Sequence, residues 1–260
     1  MKGKLLFFLA INLFAANVFI FAQSGPIQID RPDQTECPFI VPKKYIQVEH
    51  GFLIEKINST NKTYNYPSTL WKYGLNEKLE FRLITELTTI KETNQSIKGL
   101  VPITIGFKTN LFKEKGILPT TSFIGHITTS KAGSKDFHTT YIAPSFRFTM
   151  QHTLSNRVAL AYNLGAEWDG ETATPTYIYT LTTGISITEK LGCYAELYGF
   201  AKHHLITDHR IDGGFTYLVN NGFILDISCG YGLTINAPKN FLAVGLSYRF
   251  RTCRSGSENL

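Results

Sequence analysis

The stretch 158-VALAYNLGAEW-168 alternates without a break between two kinds of residue. Its even-numbered positions carry mostly bulky apolar side chains, from Val158 to Trp168, and its odd-numbered positions carry Ala, Asn, Gly and Glu. Successive side chains of a β-strand point to opposite sides, so a period of two predicts a strand with one apolar and one polar face. The same pattern recurs in residues 176–187, 223–233 and 242–250.

Similar segments of alternating polarity predict a series of strands from Tyr45 onward. Each strand is about ten residues long, which is enough to cross a bilayer at a tilt. The predicted strands are 45–56, 66–75, 79–90, 99–111, 118–130, 139–152, 157–168, 175–187, 191–201, 209–219, 223–235 and 240–250.

The predicted connections alternate in length. Short polar turns at 76–78, 113–116, 155–156, 189–190 and 220–222 alternate with mostly longer polar loops at 57–65, 91–98, 131–138, 169–174, 202–208 and 236–239. Short turns on one side and longer loops on the other are typical of membrane barrels. We therefore predict an all-β fold, an antiparallel transmembrane β-barrel of outer-membrane type with about twelve strands over residues 45–250.

A soluble barrel or a β-sandwich is the alternative, and it would place the apolar face inside and the polar face outside. Here the polar face consists mainly of small residues and scattered charges, which fit a hydrated lumen better than a packed core. The apolar face carries aromatic residues near strand ends, such as Trp71, Trp168 and Tyr248. Such residues form the girdles of membrane barrels at the lipid–water interfaces, so the membrane fold is favoured.

The N-terminal residues predict export. Lys2 and Lys4 precede an apolar run over 5–21 and the small-residue exit Ala22-Gln23-Ser24, which is the layout of a signal peptide (1–22) cleaved after Ala22. An uncleaved helical anchor is the alternative. Export and a barrel together predict the bacterial outer membrane, with outer-membrane lipid, the barrel-assembly machinery and small-molecule solutes as partners. The formal net charge of +6 includes the two lysines of the peptide, and the remaining charge forms no basic stripe, so nucleic-acid binding is not predicted.

Two segments flank the predicted barrel. Residues 23–44 contain Pro26, Pro32, Pro38 and Pro42, which argues against a strand. This segment is either a periplasmic N-terminal segment or a lumen plug whose charges at Asp30, Arg31, Asp33 and Glu36 pair with the wall. Residues 251–260 form a C-terminal extension. Cys37 and Cys253 lie outside the strands and could form a disulfide, or the four cysteines are free thiols.

Most charges within the predicted strands fall on the polar face. A Lys or Arg on the lipid face costs about 2–4 kcal/mol at the membrane midplane, so these side chains are predicted to line the lumen. They form either the selectivity lining of an open pore or a closed network of ion pairs. The predicted lumen residues are Glu49, Glu55, Lys72, Glu80, Arg82, Glu86, Lys108, Arg147, Glu167, Glu196, Asp212, Asp226 and Arg249.

Signals for chemistry are weak. His126 and His152 lie in predicted strands without a nucleophile motif, and a hydrolytic site needs a nucleophile, a base and an orienting group. His203, His204 and His209 lie near one loop without a carboxylate or thiol at a recognised ligand spacing. We predict no catalytic residues, no cofactor and no metal site, so a non-enzymatic protein. A lipid-modifying enzyme and a closed structural barrel are the alternatives.

Several segments resemble one bacterial family, the putative phenol-degradation MetA-pathway proteins, which are also described as outer-membrane transporters. They include 30-DRPDQTE-36, 42-PKKYIQVE-49, 73-YGL-75, 80-EFR-82, 144-PSFRF-148, 163-NLGAEW-168, 196-ELYG-199, 212-DGGFTY-217 and 245-GLSYRF-250. The resemblance implies a porin-like channel for small solutes, aromatic or hydrophobic ones included. One departure is that residues 251–260 follow Phe250, whereas the final aromatic residue usually ends such chains.

Overall fold

The computed structural model describes residues 25–252, and most of them lie in β-strands. The predicted signal peptide and residues 253–260 lie outside the described part of the chain. The strands are β1 (Tyr45–Lys56), β2 (Lys62–Gly74), β3 (Leu79–Lys91), β4 (Ser96–Leu100), β5 (Thr104–Phe112), β6 (Thr120–Thr128), β7 (Ala143–Thr153), β8 (Val158–Glu167), β9 (Thr176–Ser186), β10 (Leu191–Lys202), β11 (Asp208–Asn220), β12 (Phe223–Gly232) and β13 (Asn240–Arg251), with a short 3₁₀ helix at Lys135–Phe137.

The strands close into an antiparallel barrel. β1 pairs with both β2 and β13, and every later strand pairs with its neighbour around to β3, which also pairs with β2. β4 and β5 lie one after the other against β3, at Leu87–Lys91 and at Leu79–Ile84. They therefore share one position, and within residues 25–252 the barrel has twelve strand positions. The predicted fold class is confirmed.

The largest departure from the predicted strands is the break between β4 and β5, where 99–111 was predicted to be continuous. Pro102 lies in the break and lacks the N–H that a central strand would donate to its neighbour. The N–H of Ile103 donates to the carbonyl of Ala132 instead, at 3.0 Å, which ties the break to the loop that follows β6.

The connections separate the barrel into two ends. The turn end carries 75–78, 113–119, 154–157, 187–190 and 221–222, and the loop end carries 57–61, 92–95, 129–142, 168–175, 203–207 and 233–239. The predicted alternation holds for most pairs, but the turn-end connection 113–119 is longer than predicted. The loop-end connections 57–61 and 92–95 are shorter than predicted, because β2 begins at Lys62 and β4 at Ser96.

Burial shows which face of each strand points inward. On β12, Leu225 and Ile227 are 40% and 47% exposed, whereas Asp226 and Ser228 are buried. The outer wall is therefore apolar and the interior is polar and charged, which is the reverse of a soluble barrel. No helix among residues 25–252 is long and apolar enough to cross a membrane.

This arrangement predicts a depth-dependent cost for a charge on the outer wall. Ile227 faces outward from the middle of β12, whereas Ile235 is exposed in the connection at the loop end. I227K should lower the free energy of unfolding in lipid vesicles by about 2–4 kcal/mol, and I235K by less than about 1 kcal/mol. Equal losses in denaturant titrations of the two variants would contradict the assignment of the outer wall to lipid.

Candidate functional site

The part of the described chain that precedes β1 lies inside the barrel from residue 27 to residue 42. We call residues 27–42 the inner segment. At the turn end, the N–H of Ile27 donates to Asn221, and Lys43 forms a bridge with Gly74. Between these points the segment reaches Glu196, in the middle of β10, and returns. The inner segment therefore enters and leaves the barrel at the turn end and fills part of its lumen.

Asp30 is the charge at the centre of the interior. Its carboxylate lies 2.9 Å from Lys72 Nζ, 3.1 Å from Arg82 Nη1 and 2.7 Å from Lys108 Nζ. These three cations come from β2, β3 and β5, which are successive positions of the wall, and all four side chains are buried. Burial alone would raise the pKa of Asp30, but Lys108, Lys72 and Arg82 outweigh it and hold the pKa well below its usual range.

Other carboxylates complete this charge network. Lys72 Nζ lies 2.6 Å from Glu49 Oε1, and Arg82 Nη2 lies 2.6 Å from Glu36 Oε2. Glu80 accepts the N–H of Val41 at 2.7 Å and lies 3.5 Å from Arg82. The network joins the inner segment to strands β1, β2, β3 and β5, which we call the anchoring wall.

Arg31 occupies a notch that two glycines leave in the wall. Its Nη2 lies 3.1 Å from Asp226 Oδ1. Gly51 and Gly245 are register partners on β1 and β13, and a Cβ at Gly51 would lie 1.9 Å from Arg31 Nη1, while one at Gly245 would lie 2.6 Å from Arg31 Nε. Glycine at both positions lets the guanidinium lie against the backbone, a use of strand glycine that allows close approach.

The opposite wall contacts residues 34–36, which we call the tip. The N–H groups of Gln34 and Thr35 donate to Glu196 at 2.7 and 2.8 Å. The hydroxyls of Thr35 and Thr180 are 2.6 Å apart. Glu36 and Asn163 exchange two hydrogen bonds, of 2.7 and 3.0 Å. We call strands β8, β9 and β10 the tip wall, because Asn163, Thr180 and Glu196 come from them.

A group of three carboxyls lies beside the tip. Glu196 and Asp212 are register partners on β10 and β11, and Asp33 is close to both. Within residues 25–252, no salt bridge involves any of the three. Burial, and then the charges of Glu196 and Asp212, raise the pKa of Asp33 well above its usual range. Asp33 therefore keeps its proton over a wider pH range than an exposed aspartate.

A cavity of about 350 Å³ separates the inner segment from the tip wall on the side of the turn end. Pro32 and Asp33 line it from the segment, and Ala161, Thr182, Gly184 and Tyr194 line it from the wall. Its mouth includes Ser155, Asn156 and Arg157 of a turn-end connection, so the cavity opens at that end.

The structure places the predicted lumen residues in four settings, of which three follow here and the fourth contains Glu55. Glu49, Lys72, Glu80, Arg82 and Lys108 gather around the inner segment. Glu86, Arg147 and Glu167 are only partly buried, and Arg147 donates to the carbonyl of Gln34 at 3.0 Å. Buried at other points of the wall are Glu196, Asp212, Asp226 and Arg249.

Nearer the loop end, Glu55 takes part in a separate group around Arg210. Arg210 Nη1 lies 2.9 Å from Glu55 Oε1, and the guanidinium also pairs with Asp208 and lies over the rings of Tyr198 and Phe200. This group crosses from β11 to β1 and narrows the lumen above the inner segment.

The histidines do not form one site. His126 lies on the inward face, and its Nε2 is buried without a hydrogen-bond partner among the described residues. His152 lies on the outer face, 3.4 Å from the hydroxyl of Tyr162. His209 bonds to Tyr179, and residues 25–252 contain no group of three or more His, Cys, Asp or Glu that could hold a metal ion.

The thiols of Cys37, Cys193 and Cys229 form no disulfide with one another. Cys253 lies outside the described residues, so the bridge between Cys37 and Cys253 stays a prediction.

Sequence reasoning missed several residues that hold the inner segment. Asn163 and Thr180 are uncharged and were assigned only to a polar face, and Gly51 and Gly245 carry no side chain. A glycine in the interior of a strand often marks a place where another group approaches the backbone closely. Gly51 and Gly245 could therefore have indicated the notch from the sequence.

Solved structures with a similar fold are outer-membrane proteins. An outer membrane channel from Pseudomonas putida F1 aligns with a TM-score of 0.61 at 10% identity, over 86% of this chain and 100% of that chain. The KdgM porin aligns with a TM-score of 0.52 at 7% identity, over 79% of this chain and 99% of that one. The NanC porin gives 0.53 at 9% identity, over 78% and 98%. At these identities the likeness establishes the fold.

No curated protein matches the chain in sequence. The family described as "Putative MetA-pathway of phenol degradation" matches residues 29–250, which include the inner segment from its third residue and nearly the whole barrel. The chain belongs to this family.

Proposed function

We propose that the protein is an outer-membrane channel for small solutes whose own inner segment narrows the lumen. The observation that carries the proposal is the combination of an apolar outer wall with a charged interior that holds a cavity open at the turn end. Membrane barrels with a polar lumen are either open or filled by part of their own chain, and this barrel is of the second kind.

The apolar outer wall and the family of the chain indicate the partners of the protein and the solutes to test. Outer-membrane lipid covers the exposed aromatic and aliphatic side chains, and the barrel-assembly machinery inserts the barrel. The family description concerns phenol degradation, so small aromatic or hydrophobic compounds are the first solutes to test.

The two rival functions are a lipid-modifying enzyme and a closed structural barrel. His126 and His152 lie on opposite faces of the wall, and the inward one lacks a partner at Nε2 among the described residues. A hydrolytic site needs a nucleophile within hydrogen-bond reach of a base, so this geometry favours a channel over an enzyme. The cavity favours a channel over a structural barrel.

Liposome swelling separates these functions. Liposomes containing the protein should swell in arabinose and in phenyl β-glucoside, both of which cross a bare bilayer slowly, and phospholipid should remain intact. Heat-unfolded protein in the same liposomes is the control. Sealed liposomes would support the structural barrel, and released fatty acid that is lost with H126A would support the enzyme.

A matched pair of variants tests whether the inner segment limits the flux. D30N removes the charge that faces Lys72, Arg82 and Lys108, whereas D33N changes a neighbouring aspartate that faces two other carboxyls. Loss of one partner of a buried ion-pair group costs on the order of 3–5 kcal/mol, so D30N should loosen the segment and D33N should not.

The expected result is a higher single-channel conductance and a lower unfolding temperature for D30N, with D33N at or above the unfolding temperature of the natural chain. If D30N and D33N show the same conductance, the ion pairs of Asp30 do not hold the channel narrow.

A further inference from the structure

The two walls hold the inner segment by different kinds of contact. Ion pairs join Asp30 and Glu36 to the anchoring wall, and Arg31 to Asp226 of β12. At the tip wall, the contacts of residues 34–36 with Asn163, Thr180 and Glu196 are hydrogen bonds, four of which use backbone groups of the segment. Among the described residues no ion pair joins the tip to the tip wall, so the inner segment is held less strongly on that side than at the anchoring wall, where even the Glu36 carboxylate pairs with Arg82.

This difference decides which part of the segment moves at the lower cost. Separating a buried ion pair leaves an uncompensated charge, which is strongly unfavourable. Hydrogen bonds between backbone groups and polar side chains can be replaced by water at small cost where water has access. Asn163, Thr180 and Glu196 are themselves buried, but Thr35 lines the cavity, so water that enters the cavity reaches the edge of these contacts.

The cavity lies directly below the tip contacts. Ala161, Thr182 and Tyr194 line it, and each lies two residues from Asn163, Thr180 or Glu196, on the same face of the same strand and nearer the turn end. Thr35 takes part in the tip contacts and also lines the cavity. The cavity and the tip contacts therefore form one column along β8, β9 and β10.

We propose that solutes pass between the tip and the tip wall, with the contacts of Thr35, Thr180, Asn163 and Glu196 as the gate and the cavity as the vestibule on the turn-end side. Asp30 stays paired with the anchoring wall, and Arg31 with Asp226, while the gate opens. This inference rests on the proposed channel function and names its route.

The cavity also indicates the class of solute. The barrel strands line it with uncharged residues, small ones among them at Ala159, Ala161, Thr182, Gly184, Ser186 and Thr216. Its charged lining residues come from the inner segment (Arg31 and Asp33) and from the turn-end connection (Arg157). Its volume is at the lower end of the range for small-molecule pockets, about 300–1,000 Å³. The vestibule therefore takes a small uncharged solute with a few hydroxyl groups or a single ring.

A disulfide lock tests the gate. The hydroxyls of Thr35 and Thr180 are 2.6 Å apart, so T35C/T180C places two thiols at the gate. The hydroxyls of Thr104 and Thr128 are 2.7 Å apart on β5 and β6, so T104C/T128C gives a matched bridge within the wall. Oxidised T35C/T180C should reduce arabinose swelling to the level of empty liposomes, and dithiothreitol should restore it. Oxidised T104C/T128C should swell like the natural chain.

Filling the vestibule provides a test that leaves the gate contacts intact. A Cβ added at Gly184 meets no atom within 4 Å, and the same is true of Gly25, which does not line the cavity. G184W should therefore lose most of the arabinose flux, and G25W should keep it.

The outcomes distinguish the gate from the channel itself. Peptide mass spectrometry establishes that the 35–180 bridge has formed. Normal flux through the bridged protein, or through G184W, would overturn the proposed route and leave the channel function standing. Absence of flux in the natural chain and in D30N would contradict the channel function, and the route with it.

Discussion

The contact of the Asp30 carboxylate with Lys72, Arg82 and Lys108 is the interaction on which the interior depends. Three cations on successive strand positions repel one another, and because all three are buried, bulk salt screens that repulsion little. Glu49 and Glu80 offset part of this charge from the wall. Within residues 25–252, Asp30 is the one carboxylate that lies within 4 Å of all three cations. The wall therefore favours the inner segment inside the barrel over one outside it.

The same interaction links the two faces of the wall. Charges cannot face lipid at a tolerable cost, so a barrel strand that carries them must turn them inward. Charged side chains that point into the lumen need partners of opposite charge. In a barrel with twelve strand positions, many of these side chains are too far apart to pair directly across the lumen. The inner segment supplies the missing partners, with Asp30 and Glu36 paired to the anchoring wall and Arg31 paired to Asp226 in the glycine notch beside it. The alternating pattern thus has two consequences. It gives the barrel an apolar outer face, and it places charges in the lumen that bind the inner segment.

Much of this architecture could be predicted from the sequence. The alternation in residues 158–168 and 223–233 fixes the strands and their faces, because the period of two leaves one assignment for each side chain. The break at Pro102 follows from local chemistry but was missed, since the residues on both sides of it continue the strand pattern. The partners of the inward charges could not be predicted, because they lie across the lumen and depend on barrel geometry. The contacts of the tip could not be predicted for another reason. The backbone N–H groups of Gln34, Thr35 and Glu36 make them, and every non-proline residue has such a group.

Hydrogen exchange of the backbone amides of residues 27–42, measured by mass spectrometry on the folded protein in lipid nanodiscs, tests the central claim most directly. The amides of Cys37 and Val41 donate to Asp30 and Glu80, so they should exchange slowly, at rates closer to those of barrel strands than to those of loops. The amides of Gln34, Thr35 and Glu36 donate to the tip wall, so they should exchange faster than these two but more slowly than an unstructured peptide. Exchange of the whole segment at the rate of an unstructured peptide, in a barrel whose strands remain protected, would contradict the claim that the charged wall holds the segment inside.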